Sequence, residues 1–429
     1  MSDPASTATV DVHRVVDAVW RMESAKLLGA LTRVTGNVGL AEELAQDALV
    51  AALEQWPADG VPDRPGAWLM STAKHRAIDA FRRGATLQRK TAELGRELTQ
   101  ADEPDWAAQL DEVVEDDVLR LVFISCHPVL GREARVALTL RLVGGLTTDE
   151  IARAFLVPEA TLAQRIVRAK RTLTAARVPF EVPAGTEFTA RLSSVLEVVY
   201  LVFNEGYAAT AGEDWIRPTL CQEALRLGRI LAELTPGESE VHGLVALMEI
   251  QASRLRARVG PDGAPVLLGD QDRSRWDRVL IGRGLTALDR AQAVGGSLGP
   301  YALQAAIAAC HTRARSVEET DWVRIAALYE ALAELTPSPV VELNRAVAVS
   351  RAYGPAAGLE LVDALREDDV LRGYHLLPSV RGDLLEQLGR LAEARAEFEE
   401  AAALTRNERE RALLLDRAAA CAGSPGELA

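Results

Sequence analysis

The fold is decided by Gly145-Leu-Thr-Thr-Asp-Glu-Ile-Ala-Arg-Ala-Phe-Leu-Val-Pro-Glu-Ala-Thr-Leu-Ala-Gln-Arg-Ile-Val-Arg-Ala-Lys-Arg171, which has the pattern of two short helices joined by a turn. Thr147 and Glu150 have the spacing of a capping box, which predicts the start of the first helix. The turn falls at Leu156 and Val157, and Pro158 suits the first position of the second helix, because its missing N–H costs nothing there. The stretch therefore predicts a helix-turn-helix, whose second helix can enter a DNA major groove.

The second predicted helix has an apolar face and a polar, basic face. Leu162, Ile166 and Ala169 recur at helical spacing, so we expect them to be buried. From Asp149 to Arg177 there are six basic residues and three acidic ones, in a chain of net charge −14. Local positive charge favours DNA binding, while the alternative is an ordinary helical hairpin with a solvated arginine face. The candidate DNA contacts here are Thr161, Gln164, Arg165, Arg168, Lys170 and Arg171.

Two amphipathic segments upstream carry opposite charges. Gly39–Leu53 predicts a helix with an acidic, amide-bearing face. A Pro/Gly-rich break over Trp56–Gly66 precedes Ala67–Arg83, which predicts another helix. From Lys74 to Lys90 there are six basic residues and one acidic residue. Taken singly, an acidic helix beside a basic helix is most simply a solvated bundle surface.

Composition predicts an all-α fold of several domains. Alanine, leucine, arginine and glutamate dominate, and these residues lose little side-chain freedom in a helix. We expect a small helical domain over residues 10–90, an acidic linker over 91–117 and a second small domain, with the helix-turn-helix, over 118–177. A proline-punctuated stretch then leads into a C-terminal extension over 186–429.

The C-terminal extension contains an internal repeat. Leu231-Ala-Glu-Leu-Thr-Pro236 recurs as Leu332-Ala-Glu-Leu-Thr-Pro337, and Ala401-Ala-Ala-Leu-Thr-Arg406 is a weaker copy. The offsets of 101 and 69 residues lie near multiples of about 34 residues, the tetratricopeptide period. Each copy predicts a helix end, and in the first two copies the final proline supports this, because proline cannot continue a helix. Val380–Phe398 predicts a helix, a turn at Gly389 and a second helix, so we expect an α-helical repeat array.

The sequence offers no pattern of catalytic or metal-binding residues. Cys126, Cys221, Cys310 and Cys421 lie far apart, with the spacing of neither a zinc site nor a disulfide framework. Cys126 and His127 have apolar flanks and no adjacent third ligand, so buried structure is expected. We expect no catalytic residue, metal or cofactor. The N-terminus shows no signal-peptide pattern, and the sequence has no apolar stretch long enough to span a membrane. We therefore expect a cytoplasmic protein with no membrane partner.

In this order, the pieces resemble the extracytoplasmic-function sigma factors of bacterial RNA polymerase. The family pattern has an A-E-E-L-x-Q-D-x-F helix, then a W-L-x-x-x-A-x-N-x-x-x-D-x-x-R-R helix, and ends in an E-I-A…T-V-x-x-R-x-x-R-A-R helix-turn-helix. This chain matches the pattern over Ala41–Leu49, Trp68–Arg83 and Glu150–Lys170. His75 stands where the family often has Asn. This difference affects which promoter sequence would be recognised, not the assignment to this class of sigma factor.

The resemblance implies a protein that binds core RNA polymerase and directs it to promoters. The acidic helix would dock on the polymerase through Glu42, Glu43, Gln46 and Asp47. The basic helix would meet the promoter minus-ten element through Lys74, His75, Arg76, Asp79, Arg82 and Arg83. The Trp56–Trp68 loop would hold a flipped base, and the second helix of the helix-turn-helix would read the minus-thirty-five element.

Two further segments resemble the sigma factors of this group that carry a long C-terminal extension. They are Leu119–Leu130 and Tyr200–Ala208, and they extend the match to the whole chain. In the second segment, Asn204, Glu205 and Tyr207 are candidates for locking the extension onto the promoter-binding half. Helical repeats offer concave surfaces, so a protein or peptide partner is expected for the extension. Whether the extension inhibits activity or is required for it stays open.

A different class of function accounts for part of the sequence. A repeat-bearing DNA-binding regulator that never touches polymerase would explain the helix-turn-helix and the repeats. It would leave the motifs at Ala41–Asp47 and Trp68–Arg83 without a role. Binding to core polymerase separates the two hypotheses.

Overall fold

The computed structural model describes residues 4–93, 117–209, 215–261 and 263–422, and only the backbone of residues 4–11, 13 and 80–93. These residues form eighteen α-helices and no β-strand, apart from one isolated bridge between Val259 and Pro265. The predicted all-α fold is confirmed. The predicted acidic linker, with Asp111 and Glu112, lies almost entirely outside the described residues. The chain divides into two compact units, Met1–Val198 and Val199–Ala429.

The first unit contains seven helices and most of an eighth. Their bounds are α1 Pro4–Thr35, α2 Val38–Asp59, α3 Pro65–Glu93, α4 Asp117–Ser125, α5 Arg132–Leu142, α6 Thr148–Ala154, α7 Glu159–Ala175 and α8 Gly185–Tyr207. The residues of α8 from Val199 onward belong to the second unit.

The second unit continues with ten further helices. Their bounds are α9 Pro218–Leu234, α10 Ser239–Ala252, α11 Arg278–Gly295, α12 Pro300–Arg313, α13 Trp322–Leu335, α14 Pro339–Tyr353, α15 Pro355–Ala364, α16 Leu376–Gln387, α17 Leu391–Leu404 and α18 Glu408–Ala422. Helices that follow one another in the sequence pack against one another along this unit.

The repeated hexapeptide ends a helix each time it occurs. After α9, the Thr235 N–H donates to the Leu231 carbonyl at 2.9 Å, and after α13 the Thr336 N–H donates to the Leu332 carbonyl at 2.8 Å. The weaker copy does the same after α17, where the Thr405 N–H bonds to Ala401. The predicted helix ends are therefore confirmed.

The predicted helix–turn–helix unit around Gly389 is also present, as α16 and α17. Gly389 has a φ of 75°, a left-handed conformation that glycine adopts without strain. Where the two helices cross, a Cβ on Gly382 would lie 2.8 Å from the Phe398 ring. A glycine is therefore needed for this close approach, and Phe398 is fully buried in the resulting core.

In the first unit, α1 links an N-terminal helical bundle to the helix-turn-helix. Helices α1, α2 and α3 pack on one another, and α1 also packs along α4. The close approach of α1 to α4 occurs at Gly29, where an added Cβ would lie 2.9 Å from the Asp117 carbonyl oxygen. At the ends of the Pro/Gly-rich loop, the Trp56 and Trp68 rings meet edge to face at 5.4 Å.

In the part of the chain that the structure describes, no helix has the length and apolar character needed to cross a membrane.

Candidate nucleic-acid interface

The helix-turn-helix is built as the sequence predicts, with a one-residue shift. The Thr147 N–H donates to Glu150 Oε2 at 2.8 Å, and the Glu150 N–H donates to Thr147 Oγ1 at 3.1 Å, so the capping box is complete. Leu156 makes the turn with a φ of 51°. Pro158 has an extended ψ of 137° and precedes the first residue of α7, so its expected place inside the helix was wrong by one residue.

Helix α7 separates buried from exposed side chains in the predicted way. Leu162, Ile166 and Ala169 are buried against the rest of the first unit. Arg165 is half-buried and pairs with Glu133 at 2.6 Å. Beside this helix lies a cleft of about 310 Å³ that several of the predicted contacts line. The exposed members of the predicted set are Thr161, Gln164, Arg168 and Arg171.

The remaining member, Lys170, contacts a residue of the predicted polymerase-binding set. Lys170 Nζ donates to Glu42 Oε2 at 2.9 Å, and Arg141 Nε donates to Glu42 Oε1 at 2.7 Å. We call these three residues the Glu42 cluster. The Glu42 side chain is only 10% exposed, and that of Lys170 is 21% exposed. In this structure the acidic helix α2 and helix α7 are therefore joined.

The Glu42 carboxylate is ionised in this setting. Burial alone would raise the pKa of Glu42. The hydrogen bond and charge of Lys170, together with those of Arg141, outweigh burial and hold that pKa below its ordinary value of 4.5. A buried carboxylate with two cationic donors is satisfied at both oxygens, whereas the loss of either cation would leave part of its charge uncompensated.

Further contacts hold α1 to the helix-turn-helix half. Arg33 Nε donates to Asp117 Oδ2 at 2.9 Å, with the Asp117 side chain 7% exposed. Arg21 forms an ion pair with Glu150 of the capping box. At Gly145, a Cβ would lie 2.8 Å from Ser24 Oγ. The residues of the first unit thus form a closed arrangement, in which the two small helical regions contact each other directly.

The other predicted polymerase contacts lie at the surface of α2. Glu43 and Asp47 are exposed, and Gln46 is half-buried. Asp47 Oδ2 lies 3.4 Å from Arg76 Nη1 of the basic helix, so the acidic and basic sets meet here too.

Helix α3 presents the predicted minus-ten set in part. His75 and Asp79 are exposed, and Lys74 is half-buried. Arg82 and Arg83 belong to α3, but their side chains lie outside the described residues.

The side chains of Cys126 and His127 make contacts within the fold. Cys126 is buried, with its Sγ 3.2 Å from Thr139 Oγ1, and burial raises its pKa to about 11. His127 Nδ1 accepts the Val129 N–H at 3.2 Å. No group of three metal-ligating side chains occurs within the described ranges.

The first half of α8 covers this same segment, which the sequence reading missed. Arg191 Nη2 donates to the Phe123 carbonyl at 3.1 Å, and Ser194 Oγ donates to the Cys126 carbonyl at 2.9 Å. The Phe188 ring lies 5.4 Å from the Phe123 ring. Arg191 is only 5% exposed, and its spacing of three residues from Phe188 and four residues from Val195 places it on a partly apolar face of α8.

Asn204, Glu205 and Tyr207 have their described contacts within the second unit. Asn204 is hydrogen-bonded to Tyr200, and Glu205 is paired with Arg217. The Tyr207 ring is stacked on Phe203, and the Arg258 guanidinium lies 3.8 Å from the Tyr207 ring centre. The contacts of α8 with α4 and α5 are made earlier in the helix, by residues 188–197.

Comparisons with known families match the same regions. The sigma-70 region 2 family matches residues 20–86, and the family described as sigma-70, region 4, matches residues 120–173. A family of unknown function, DUF6596, matches residues 191–292.

Similar proteins fall into two kinds. An uncharacterized protein of Rhizobium meliloti (strain 1021) is 46% identical over 392 residues, covering 90% of this chain and 91% of its own. "Probable ECF RNA polymerase sigma factor SigI" of Mycobacterium tuberculosis is 26% identical over 166 residues, covering 39% of this chain and 57% of its own. Among solved structures, yeast Tom70 is aligned over 97% of this chain and 86% of its own, at 14% identity and a TM-score of 0.31.

Two sigma-70 families match in the order that the motifs predict, and the chain is similar to an extracytoplasmic-function relative over 166 residues. The chain belongs to the extracytoplasmic-function sigma factors that carry a long C-terminal helical extension.

Proposed function

We propose that this chain binds core RNA polymerase through α2 and directs it to promoters. In this proposal α3 reads the minus-ten element and α7 reads the minus-thirty-five element. Sigma factors are transcription initiation factors rather than enzymes, and their region 2 and region 4 domains imply polymerase and promoter binding. The supporting observation is the exposed polar face of α7, which a buried apolar face holds in place. Arginine and glutamine suit both base edges and phosphates.

Run-off transcription with purified core RNA polymerase, on DNA upstream of the neighbouring genes, tests this proposal. The full chain should give promoter-specific transcripts. Arg168→Ala with Arg171→Ala should reduce them by about tenfold or more, because each lost DNA contact costs about 1–3 kcal/mol. Arg153→Ala is the matched control, since Arg153 is exposed on α6 and pairs with its neighbour Asp149. Equal transcription by both variants would refute the role of α7.

Binding to core polymerase separates this proposal from the DNA-binding regulator. A sigma factor should co-purify with core polymerase, and Glu43→Ala with Asp47→Ala should weaken that binding, since both side chains are exposed on α2. A chain that binds DNA but not core polymerase would favour the regulator.

We further propose that the C-terminal extension is required for activity, because α8 completes the core of the helix-turn-helix half. Without α8, the Phe123 and Cys126 carbonyls would lose their donors and the Phe123 ring would lose its neighbour Phe188. A chain ending at Pro183 should therefore be inactive in the transcription assay. Increased transcription from that truncation would instead make the extension an inhibitor.

A point variant tests the same idea without removing the extension. Arg191→Met should lower transcription, because its guanidinium is buried against Phe123. Ser193→Ala, at an exposed position two residues along α8, should leave transcription unchanged.

A further inference from the structure

A groove in the second unit lies outside the regions to which the proposed function assigns roles. It has a volume of about 960 Å³ and is formed by α9, α10 and α11. Helix α10 contributes its floor through His242, Val245 and Glu249, and the first two are fixed by a hydrogen bond to Pro236 and by core packing. The floor is therefore built before any ligand binds, which reduces the entropy cost of binding.

One wall of this groove is the exposed face of α11. Val279, Arg283, Thr286, Arg290 and Val294 follow one another at intervals of three or four residues, so they share one face of the helix. The face is about 22 Å long, from the helical rise of about 1.5 Å per residue. Its arginines stand about 10 Å apart along the axis, between two exposed valines.

The arginines of this wall form no ion pair with a described residue, although Glu233 also lines the groove. Arg283 and Arg290 are exposed, and neither has an ion pair or hydrogen bond with another described residue. The same is true of Arg278 at the start of α11. The surrounding sequence is acidic, with 25 arginines, no lysine and 34 acidic residues from residue 199 to 429. A local cluster of unpaired arginines in an acidic unit favours an anionic partner.

The floor of the groove provides a second kind of polar group. Arg229 Nε donates to Glu249 Oε1 at 2.7 Å, but Glu249 Oε2 has no hydrogen-bond partner among the described residues. Glu249 is 1% exposed, so its free oxygen is also shielded from water. A buried acceptor without a donor is costly, so a small shift of the Glu249 side chain toward an N–H donor of an occupant would be favourable.

The apolar groups decide what kind of anion fits. Val279 is 64% exposed and Val294 is 46% exposed, one at each end of the arginine pair. A free phosphate or a bare phosphodiester backbone has nothing to place on these valines. A peptide carries carboxylates, aliphatic side chains and backbone N–H donors on one chain.

We propose that this groove binds an acidic peptide segment of a partner protein. Carboxylates of the peptide pair with Arg283 and Arg290, aliphatic side chains cover Val279 and Val294, and a backbone N–H meets Glu249 Oε2. The peptide is a partner of the extension, so its binding is independent of polymerase and promoter.

A random 12-residue peptide library, displayed on phage and selected on the immobilised full chain, tests the proposal. The enriched peptides should hold an excess of Asp and Glu together with Leu, Ile or Val. Affinity of the enriched peptides is then measured by fluorescence anisotropy. Arg283→Ala with Arg290→Ala should weaken binding about tenfold, since each substitution removes one charge pair with a peptide carboxylate.

A matched control removes two exposed arginines elsewhere in the same unit. Arg256→Ala with Arg275→Ala lowers the net charge equally but leaves the groove intact, so affinity should stay within twofold of the parent chain. Failure to enrich acidic peptides, or equal weakening by both double variants, would overturn the proposal. Displacement of the peptide by an equal concentration of single-stranded DNA would assign the groove to nucleic acid instead. None of these outcomes bears on transcription, so the proposed function stands or falls separately.

Discussion

Lys170→Met should open the closed arrangement of the first unit. The variant keeps the length and the apolar stem of the side chain and removes the ammonium group that donates to Glu42 at 2.9 Å. Exposed ion pairs contribute about 0.2–1 kcal/mol, and losing one partner of a buried pair costs about 3–5 kcal/mol. Side-chain exposures of 10% for Glu42 and 21% for Lys170 put this pair between those cases. We expect a cost of about 2 kcal/mol, or about thirtyfold in the ratio of closed to open molecules.

Energy transfer between dyes on α2 and α7 measures that ratio. Val50 and Val167 are 48% and 41% exposed, so cysteines placed there should accept dyes without disturbing the core. The native cysteines are buried, and burial raises the pKa of each thiol, so they should compete poorly for the dyes near pH 7. The double-labelled Lys170→Met chain should show a larger low-transfer population than the parent.

Two comparisons make this prediction refutable. Arg171→Met removes a neighbouring exposed cation that lies outside the Glu42 cluster, and it should leave the distribution unchanged. Equal distributions for Lys170→Met and the parent would show that the cluster contributes little to closure.

Acid supplies an independent check, because the pKa of Glu42 is lowered in the closed form. Its contribution should be complete above the ordinary carboxyl pKa of 4.5 and be lost as the pH falls through the lowered value.

Three further predictions concern stability and reactivity. Gly145→Ala should destabilise the first unit by about 1–3 kcal/mol in urea unfolding, because Gly145 has a φ of +70° and the added Cβ would meet a serine hydroxyl. The control Gly237→Ala should have little effect, because Gly237 has no positive φ and a Cβ there would meet no other atom. Arg381→Met should cost about 3 kcal/mol in the unfolding of the second unit, since it strands a buried carboxylate, and a loss below about 1 kcal/mol would refute this. Burial raises the pKa of Cys126 to about 11 and that of Cys221 to about 12, so a thiol reagent at pH 7.5 should react slowly with the native chain and rapidly after unfolding in guanidinium chloride.

Local patterns predicted much of the fold because the groups that define them are close in sequence. The Thr147–Glu150 capping box needs only residues three apart, and the hexapeptide Leu231–Pro236 ends its helix through its own residues. Helical periodicity likewise identified Leu162 and Ile166 as buried, since one face of α7 is continuous.

The state of the candidate site could not be predicted in the same way. The partners of Glu42 lie 99 and 128 residues away, so nothing near Glu42 in the sequence indicates that it is buried. The acidic face of α2 predicts four exposed groups, yet one of them is covered. The contact of Arg191 with Phe123 spans 68 residues and depends on how α8 crosses α4, which helical periodicity alone does not determine.

The Glu42 cluster has a consequence for how two ligands would affect each other. Under the proposed function, polymerase contacts Glu42 and promoter DNA contacts Lys170. In the closed arrangement these two residues are hydrogen-bonded to each other instead. A ligand that takes Glu42 releases Lys170, and a ligand that takes Lys170 leaves Glu42 with Arg141 as its described donor, so the two binding equilibria are linked. Linkage is reciprocal, and promoter DNA should strengthen polymerase binding by the same factor as polymerase strengthens DNA binding. A single lysine–glutamate pair would then make initiation cooperative, with each partner alone binding weakly to the free chain.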